Sequence, residues 1–136
     1  METNTKLHES QIPEGELVIK TLAMPSDTNF NGDIFGGWVL SQMDLGAGMI
    51  AKTYSPSGRA ATVAIEGMSF INPIAVGEIV SCYAKLIKLG TTSIKISIEA
   101  WVYNYSSQSS KIVTKGVFTF VAIDERGRPI PVKKSN

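Results

Sequence analysis

Hydrophobic and polar residues alternate most regularly in the second half of the chain. Val80, Cys82, Ala84 and Leu86 alternate with Ser81, Tyr83 and Lys85; Ile94, Ile96, Ile98, Ala100 and Val102 alternate with Ser93, Lys95, Ser97, Glu99 and Trp101. A period of two sends successive side chains to opposite faces of a strand, so both runs predict strands with one apolar face. Lys88, Leu89, Gly90, Thr91 and Thr92 between them predict a turn. A run rich in Val and Phe over 112–123 predicts a last strand, residues 61–66 a short β-branched one, and residues 16–22 a first one, closed by Pro25.

A different pattern separates the first strand from the others. After a loop over 26–37 rich in Asn, Asp and Gly, residues 36–54 predict a helix stopped by Ser55, Pro56, Ser57 and Gly58. Trp38, Val39, Leu40, Met43, Leu45, Ala47, Met49, Ile50 and Ala51 leave it almost no polar sector, and a helix apolar all round is a buried helix. Gly46 and Gly48 each cost roughly 1 kcal/mol of helix propensity against alanine, which implies a close approach. One strand, one long helix and four antiparallel strands predict an α+β domain over 16–125, a curved sheet around the helix. A flexible tail over 1–15 and, after a turn, a Pro-rich basic C-terminal tail over 126–136 flank it.

Asp44 breaks the helix pattern. It shares a stripe of small residues with Gly37, Ser41 and Gly48, along which a backbone, a second subunit or a thin ligand can approach. An ionised carboxylate buried without partners is costly, so this one either works as a general base or simply pairs with a buried donor. Gly36 and Gly37 open the same helix. Unsatisfied N–H groups and the positive end of the helix dipole suit an oxyanion there, although glycine at a helix start is also an ordinary turn device. Along one helix Gly37 and Asp44 lie roughly 10 Å apart. A base must touch its water while the water touches the carbonyl, so Asp44 serves either a carbonyl bound by the helix start of another subunit or one reached through an extended substrate.

Composition narrows the chemistry. The 136 residues are 43% hydrophobic and 18% charged with a net charge of +1, which fits one ordinary domain and offers no basic face for nucleic acid. The polar start and the lack of a run of about 18 apolar residues predict no membrane span and a cytoplasmic protein. One cysteine, Cys82, and one histidine, His8 in the N-terminal tail, leave no disulfide, no metal cluster and little from which to build a nucleophile with a histidine base. Acid–base work therefore falls to carboxylates. Cys82 alternates with core positions and reads as a small core hydrophobe. Glu66 reads as the solvent side of its strand, and most of Arg59, Arg126, Arg128, Lys133 and Lys134 as solubilising charge.

The stretch from Leu22 through Pro25, Asp27, Asn29, Gly36, Gly37 and Trp38 to Ser41, Gln42, Met43 and Asp44 resembles the acyl-CoA thioesterases of the hotdog fold, in their YciA-like bacterial branch. Val63, Ala64, Ile65, Glu66, Gly67, Met68, Ser69 and Phe70, then Pro73, Val76, Gly77 and Glu78, then Gly90, Thr91, Thr92 and Ser93, then Glu99, Ala100, Trp101 and Val102 extend the likeness over about 17–125. The carrying pattern is Asp-x-Asn, a Gly-Gly pair, and an acidic residue fifteen positions after the asparagine.

The resemblance implies a sheet wrapped around one helix, dimers with active sites at their interface, and often a trimer of dimers. It implies hydrolysis of acyl-CoA, with coenzyme A entering as part of the substrate and no separate cofactor. Asp44 matches the catalytic carboxylate, as base or nucleophile, and Asn29 a catalytic asparagine that works with the partner's carboxylate. The backbone near Gly37 would polarise the thioester carbonyl. Gly36 and the segment Gly90, Thr91, Thr92 and Ser93 would meet the CoA part, though by themselves the latter four also make an ordinary hairpin turn. Phe35 stands where other hotdog hydrolases often carry histidine, so roles needing that histidine do not carry over, and hydratase chemistry is disfavoured. Trp38, Met43, Met49, Met68 and Phe70 suggest a broad apolar tunnel. The competing expectation is a non-catalytic acyl-CoA binding protein on the same fold.

Overall fold

The computed structural model describes residues 12–134. Strand β1 (Glu16–Leu22) leads through a single 3-10 turn (Pro25–Asp27) and a loop to helix α1 (Gly36–Ala51), which a second 3-10 turn (Lys52–Tyr54) extends. Four strands follow: β2 (Ala60–Glu66), β3 (Ile79–Leu89), β4 (Ser93–Asn104) and β5 (Ser109–Ala122). They form one antiparallel sheet in the order β1-β3-β4-β5-β2. β1 and β2 flank the helix in sequence yet occupy opposite edges, so α1 carries the chain across the concave face. This is the hotdog arrangement. Lys88 and Leu89, expected in the turn, still pair with Lys95 and Ile94, so the turn proper is Gly90, Thr91 and Thr92.

Alternation along β3, β4 and β5 builds the core. Val80, Cys82, Ile94, Ile96, Ile98, Ala100, Phe118 and Ala122 lose all exposure against Val39, Met43, Ala47 and Ala51 of the helix. Gly46 is the close approach that its low propensity implied: a β-carbon there would lie 2.7 Å from Val18 of β1. Gly48 is not one, since its nearest neighbour, the Phe120 ring, would stand 3.7 Å away, an ordinary contact. The other face of β4 is not simply solvated. Trp101 Nε1 donates to Glu99 Oε1 at 2.8 Å and the Glu14 backbone N–H reaches the same oxygen at 3.3 Å, closing over both buried side chains.

Two expectations meet corrections. The all-apolar helix is not wholly covered: Leu45 is 58% and Met49 54% exposed, because one sheet curls around only part of a cylinder. The segment after Asp124, expected to be a free tail, lies against the domain as far as Lys134. Asp124 Oδ1 accepts from the N–H groups of Arg126 and Arg128 to form a turn. Beyond it Ile130 N–H donates to Ala122, Val132 N–H to Thr91 and Lys133 N–H to Tyr54, with Val132 buried. His8 and the rest of residues 1–11 lie outside the described residues. Among the described residues no helix is long and apolar enough to cross a membrane.

Burial pushes the Cys82 thiol from 9.0 up to about 12. The folded state therefore holds a proton that the unfolded chain releases, and stability present below pH 9.0 is lost as pH rises towards about 12. Cys82→Ala should lack that part of the alkaline decline in chemical denaturation. In the native wild type a thiol reagent should label Cys82 only as fast as the protein opens.

Candidate active site

The loop before α1 is organised by its polar side chains. Thr28 Oγ1 donates to the Pro25 carbonyl at 2.9 Å, and Thr28 bridges to Ile34. Asn29 Oδ1 accepts from the N–H of Asn31 at 2.9 Å and of Asp33 at 3.2 Å, while Asn29 N–H donates to the Asp33 carbonyl at 2.8 Å. Gly32 closes this loop at φ +83°, a left-handed conformation that suits glycine. Asn29 is thus locked through one end of its carboxamide. It is exposed, and among the described residues its NH2 end donates to nothing.

Helix α1 starts directly after this loop. Trp38 and Val39 N–H groups turn back to the Phe35 carbonyl, whereas Gly36 and Gly37 N–H find no acceptor among the described residues. Unpaired donors at the positive end of a helix dipole suit an anionic oxygen. The Phe35 ring folds over Gly37, so a β-carbon there would displace it. Beside the helix start lies a cavity of about 320 Å³. Val39, Phe70, Ile71, Ile74 and Val113 give it apolar walls, and Asp33, Gly36 and Asn72 its polar rim. Of the five residues expected along a tunnel, Phe70 reaches this cavity, while Met43 is sealed in the core and Met49 is on the exposed helix stripe.

Asp44 is half-buried and faces β2, where Thr62 Oγ1 donates to its Oδ1 at 2.6 Å. No donor among the described residues reaches Oδ2. Nothing in the spacing of residues singles out Thr62, and the pairing of β2 explains why. Thr62 opposes Phe120 and Ala64 opposes Thr119, so Val63 is an extra residue, a bulge that breaks the alternation and aims Thr62 at the helix. Glu66 is exposed at the far end of the strand.

One protomer therefore brings together some of the expected residues and separates others. Asn29, Gly36 and Gly37 cluster at the helix start. Asp44 lies roughly 10 Å further along. Gly90, Thr91, Thr92 and Ser93 form the β3–β4 turn at the other end of the helix, where Val132 and Lys133 link it to Tyr54. The carbonyls of Gly90, Thr91 and Thr92 are engaged by Lys134 Nζ, Val132 and Ala122, while the N–H groups of Thr91 and Thr92 remain without backbone acceptors among the described residues.

Comparison with known proteins bears on the fold and the family. Residues 31–104 match the family model of the thioesterase superfamily. The acyl-CoA thioester hydrolase YciA of Salmonella typhimurium is 52% identical over 123 residues, covering 88% of this chain and 92% of the relative. Among solved structures, a hexameric thioesterase from Yersinia pestis matches with TM-score 0.85 and 51% identity, covering 91% of this chain and all (100%) of that one. A hexameric hotdog-fold thioesterase of Campylobacter jejuni matches with TM-score 0.83 and 39% identity, covering 88% and 92%. With its helix-in-sheet architecture and these matches, the chain belongs to the thioesterase superfamily.

Proposed function

We propose that the protein hydrolyses acyl-CoA thioesters to free coenzyme A and a carboxylic acid, at sites shared between two protomers. Asp44 carries this reading. It is a half-buried carboxylate on an apolar helix, with one oxygen held by Thr62 and the other without a donor among the described residues. A carboxylate so placed takes a proton from water as general base while the water attacks the thioester carbon, or attacks that carbon itself to give an anhydride; in either case the C–S bond breaks and CoA leaves as thiolate, and in the second water then opens the anhydride. The N–H groups of Gly36 and Gly37 take the negative charge that develops on the carbonyl oxygen, and the free NH2 of Asn29 orients the attacking or attacked oxygen. The apolar cavity at the helix start receives the acyl chain. Thr91 and Thr92 N–H with the hydroxyls of Thr91, Thr92 and Ser93 offer donors to the phosphates of CoA.

The separation between Gly37 and Asp44 requires a second subunit. β2 is an outer strand with a free edge, and beside it Val63 is 58% exposed and Leu45 lies open on the helix. Such an edge invites pairing with its copy. Pairing β2 with β2 of a partner joins two sheets into one and sets Asp44 of one protomer against the helix start and Asn29 of the other. The Yersinia and Campylobacter relatives are hexameric, which supports a trimer of such dimers.

Free-thiol release from a panel of acyl-CoAs of increasing chain length tests the reaction. Asp44→Asn should fold and bind CoA yet lose roughly 10²–10⁴-fold in kcat, the usual worth of a general base. A folded Asp44→Asn enzyme with full activity would overturn the assignment. Thr62→Val should fold and lower kcat less, since it frees Asp44 to turn without removing it.

The shared site has its own test. Asp44→Asn and Asn29→Ala subunits, each inactive alone, should regain about a quarter of wild-type activity when co-expressed at equal levels, because half the dimers are hybrids with one intact site of two. No recovery in verified hybrids would place Asn29 and Asp44 in the same protomer's site or remove one of them from catalysis.

A further inference from the structure

We propose that Glu78, paired with Asn104, is a positioning residue for this reaction: it fixes the loop over 71–78 against which the Asn29 loop and the start of α1 are held. The inference rests on the hydrolytic reading of the site and adds a residue to it.

Glu78 sits just before β3 and is 9% exposed, with both carboxylate oxygens in use. Oε1 accepts from the Ala75 N–H and Oε2 from Asn104 Nδ2, each at 2.7 Å. Its backbone joins the same junction: Glu78 N–H donates to the Ala75 carbonyl at 3.2 Å, and its own carbonyl accepts from Ala23 N–H at 3.0 Å. Gly77, at φ +91°, donates to the Ala23 carbonyl at 2.8 Å. A buried carboxylate is a costly way to close a turn unless its position matters, but charge-assisted bonds on both oxygens hold a loop more firmly than neutral ones.

The loop that Glu78 closes touches the site. Its other end is pinned by Ile71 N–H to the Val113 carbonyl and Asn72 Nδ2 to the Ile112 carbonyl, both 2.7 Å. Between these anchors the Ile74 carbonyl accepts from Ile34 N–H at 3.0 Å. Ile34 follows Asp33, whose N–H and carbonyl both bind Asn29, and precedes the helix start by two residues. A shift of the Ala75 turn therefore moves Ile74, then Ile34, and with it Asn29 and the Gly36 and Gly37 donors. The same loop supplies Ile71 and Ile74 to the cavity wall.

The test is kinetic and uses a swap. Glu78→Gln turns one acceptor into an NH2 that faces a donor. It should leave a folded enzyme at 25 °C, by circular dichroism, whose kcat for acyl-CoA falls roughly 10- to 100-fold with KM little changed, as a misplacement near 1 Å would cause. Adding Asn104→Asp restores donor against acceptor at unchanged net charge and should bring kcat back to within about threefold of wild type. Asn104→Ala, which keeps the carboxylate, supplies a milder variant with the same direction if Glu78→Gln alone does not fold. In an Asn29→Ala background the Glu78→Gln loss should shrink without vanishing, because Asn29 is then already gone while the Gly36 and Gly37 donors still move.

Full kcat in folded Glu78→Gln would overturn the proposal. So would an equal loss with and without Asn29, or a swap that restores Tm but not kcat, and in these cases the hydrolytic reading stands. An Asn29→Ala enzyme with wild-type kcat would instead remove Asn29 from the mechanism, and this inference with it.

Discussion

Asp44 and Gly46, two residues apart on one helix, touch the two opposite edges of the sheet. Asp44 meets β2 through Thr62 and Gly46 meets β1 through Val18. A sheet of five strands reaches the same turn of a helix from both sides only when it curls around it, and that curl is what the rest of the structure depends on. It seals the inward faces of β3, β4 and β5 into one core with the helix, and it explains the two residues that look out of place in an apolar helix. Glycine at 46 admits β1 to a distance no side chain would allow. Aspartate at 44 receives a hydrogen bond from the other edge, and a bond to a charged acceptor offsets roughly 1.5–3 kcal/mol of its desolvation.

The curl also leaves the structure open along one line. The edges approach the helix without meeting, and between them Leu45 and Met49 stay exposed, Met49 on the side of β1. An apolar stripe next to a strand edge is where a single chain is least at ease in water. On the proposed reading that discomfort has a use: the surface that recruits a second copy is the one next to Asp44, so assembly of the dimer and assembly of the site become one event. The helix start with Asn29 and the mid-helix carboxylate, too far apart to cooperate in one chain, then need no movement to do so.

The fold was legible where a period survives. The inward faces of β3 and β4 follow from alternation, and α1 from its apolar run between Gly36 and the turn at Ser55, because burial against a single core imposes one period on each of these elements. What stayed hidden depends on contacts between elements. Thr62 is invisible because the bulge at Val63 resets the period of β2, so no spacing from Asp44 predicts their meeting. Glu78 reads as one acidic residue in a turn, and only the arrival of Asn104 from the end of β4 shows both its oxygens engaged. The C-terminal segment misleads for another reason: Pro129, Pro131 and the basic residues have the composition of a tail, while Ile130 and Val132 supply the apolar contacts that dock it, together with backbone bonds that composition does not register.

The way Asp44 is held bears on what it can do. Glu78 and Glu99 show the alternative in the same molecule: Glu78 receives donors on both oxygens, and Glu99 two donors on one. Donors in that number hold a carboxylate still, which suits a brace. Asp44 has one donor among the described residues, on Oδ1, enough to set the plane of the carboxylate while its second oxygen keeps its lone pairs for water or a thioester carbon. Thr62 suits that role better than lysine or arginine would, because a hydroxyl orients the carboxylate without neutralising it. On the proposed reading the three acidic residues divide by their surroundings: Glu78 has both oxygens engaged, Glu99 is sealed at 4% exposure, and Asp44, half-buried with one oxygen free of donors among the described residues, is the one left to react.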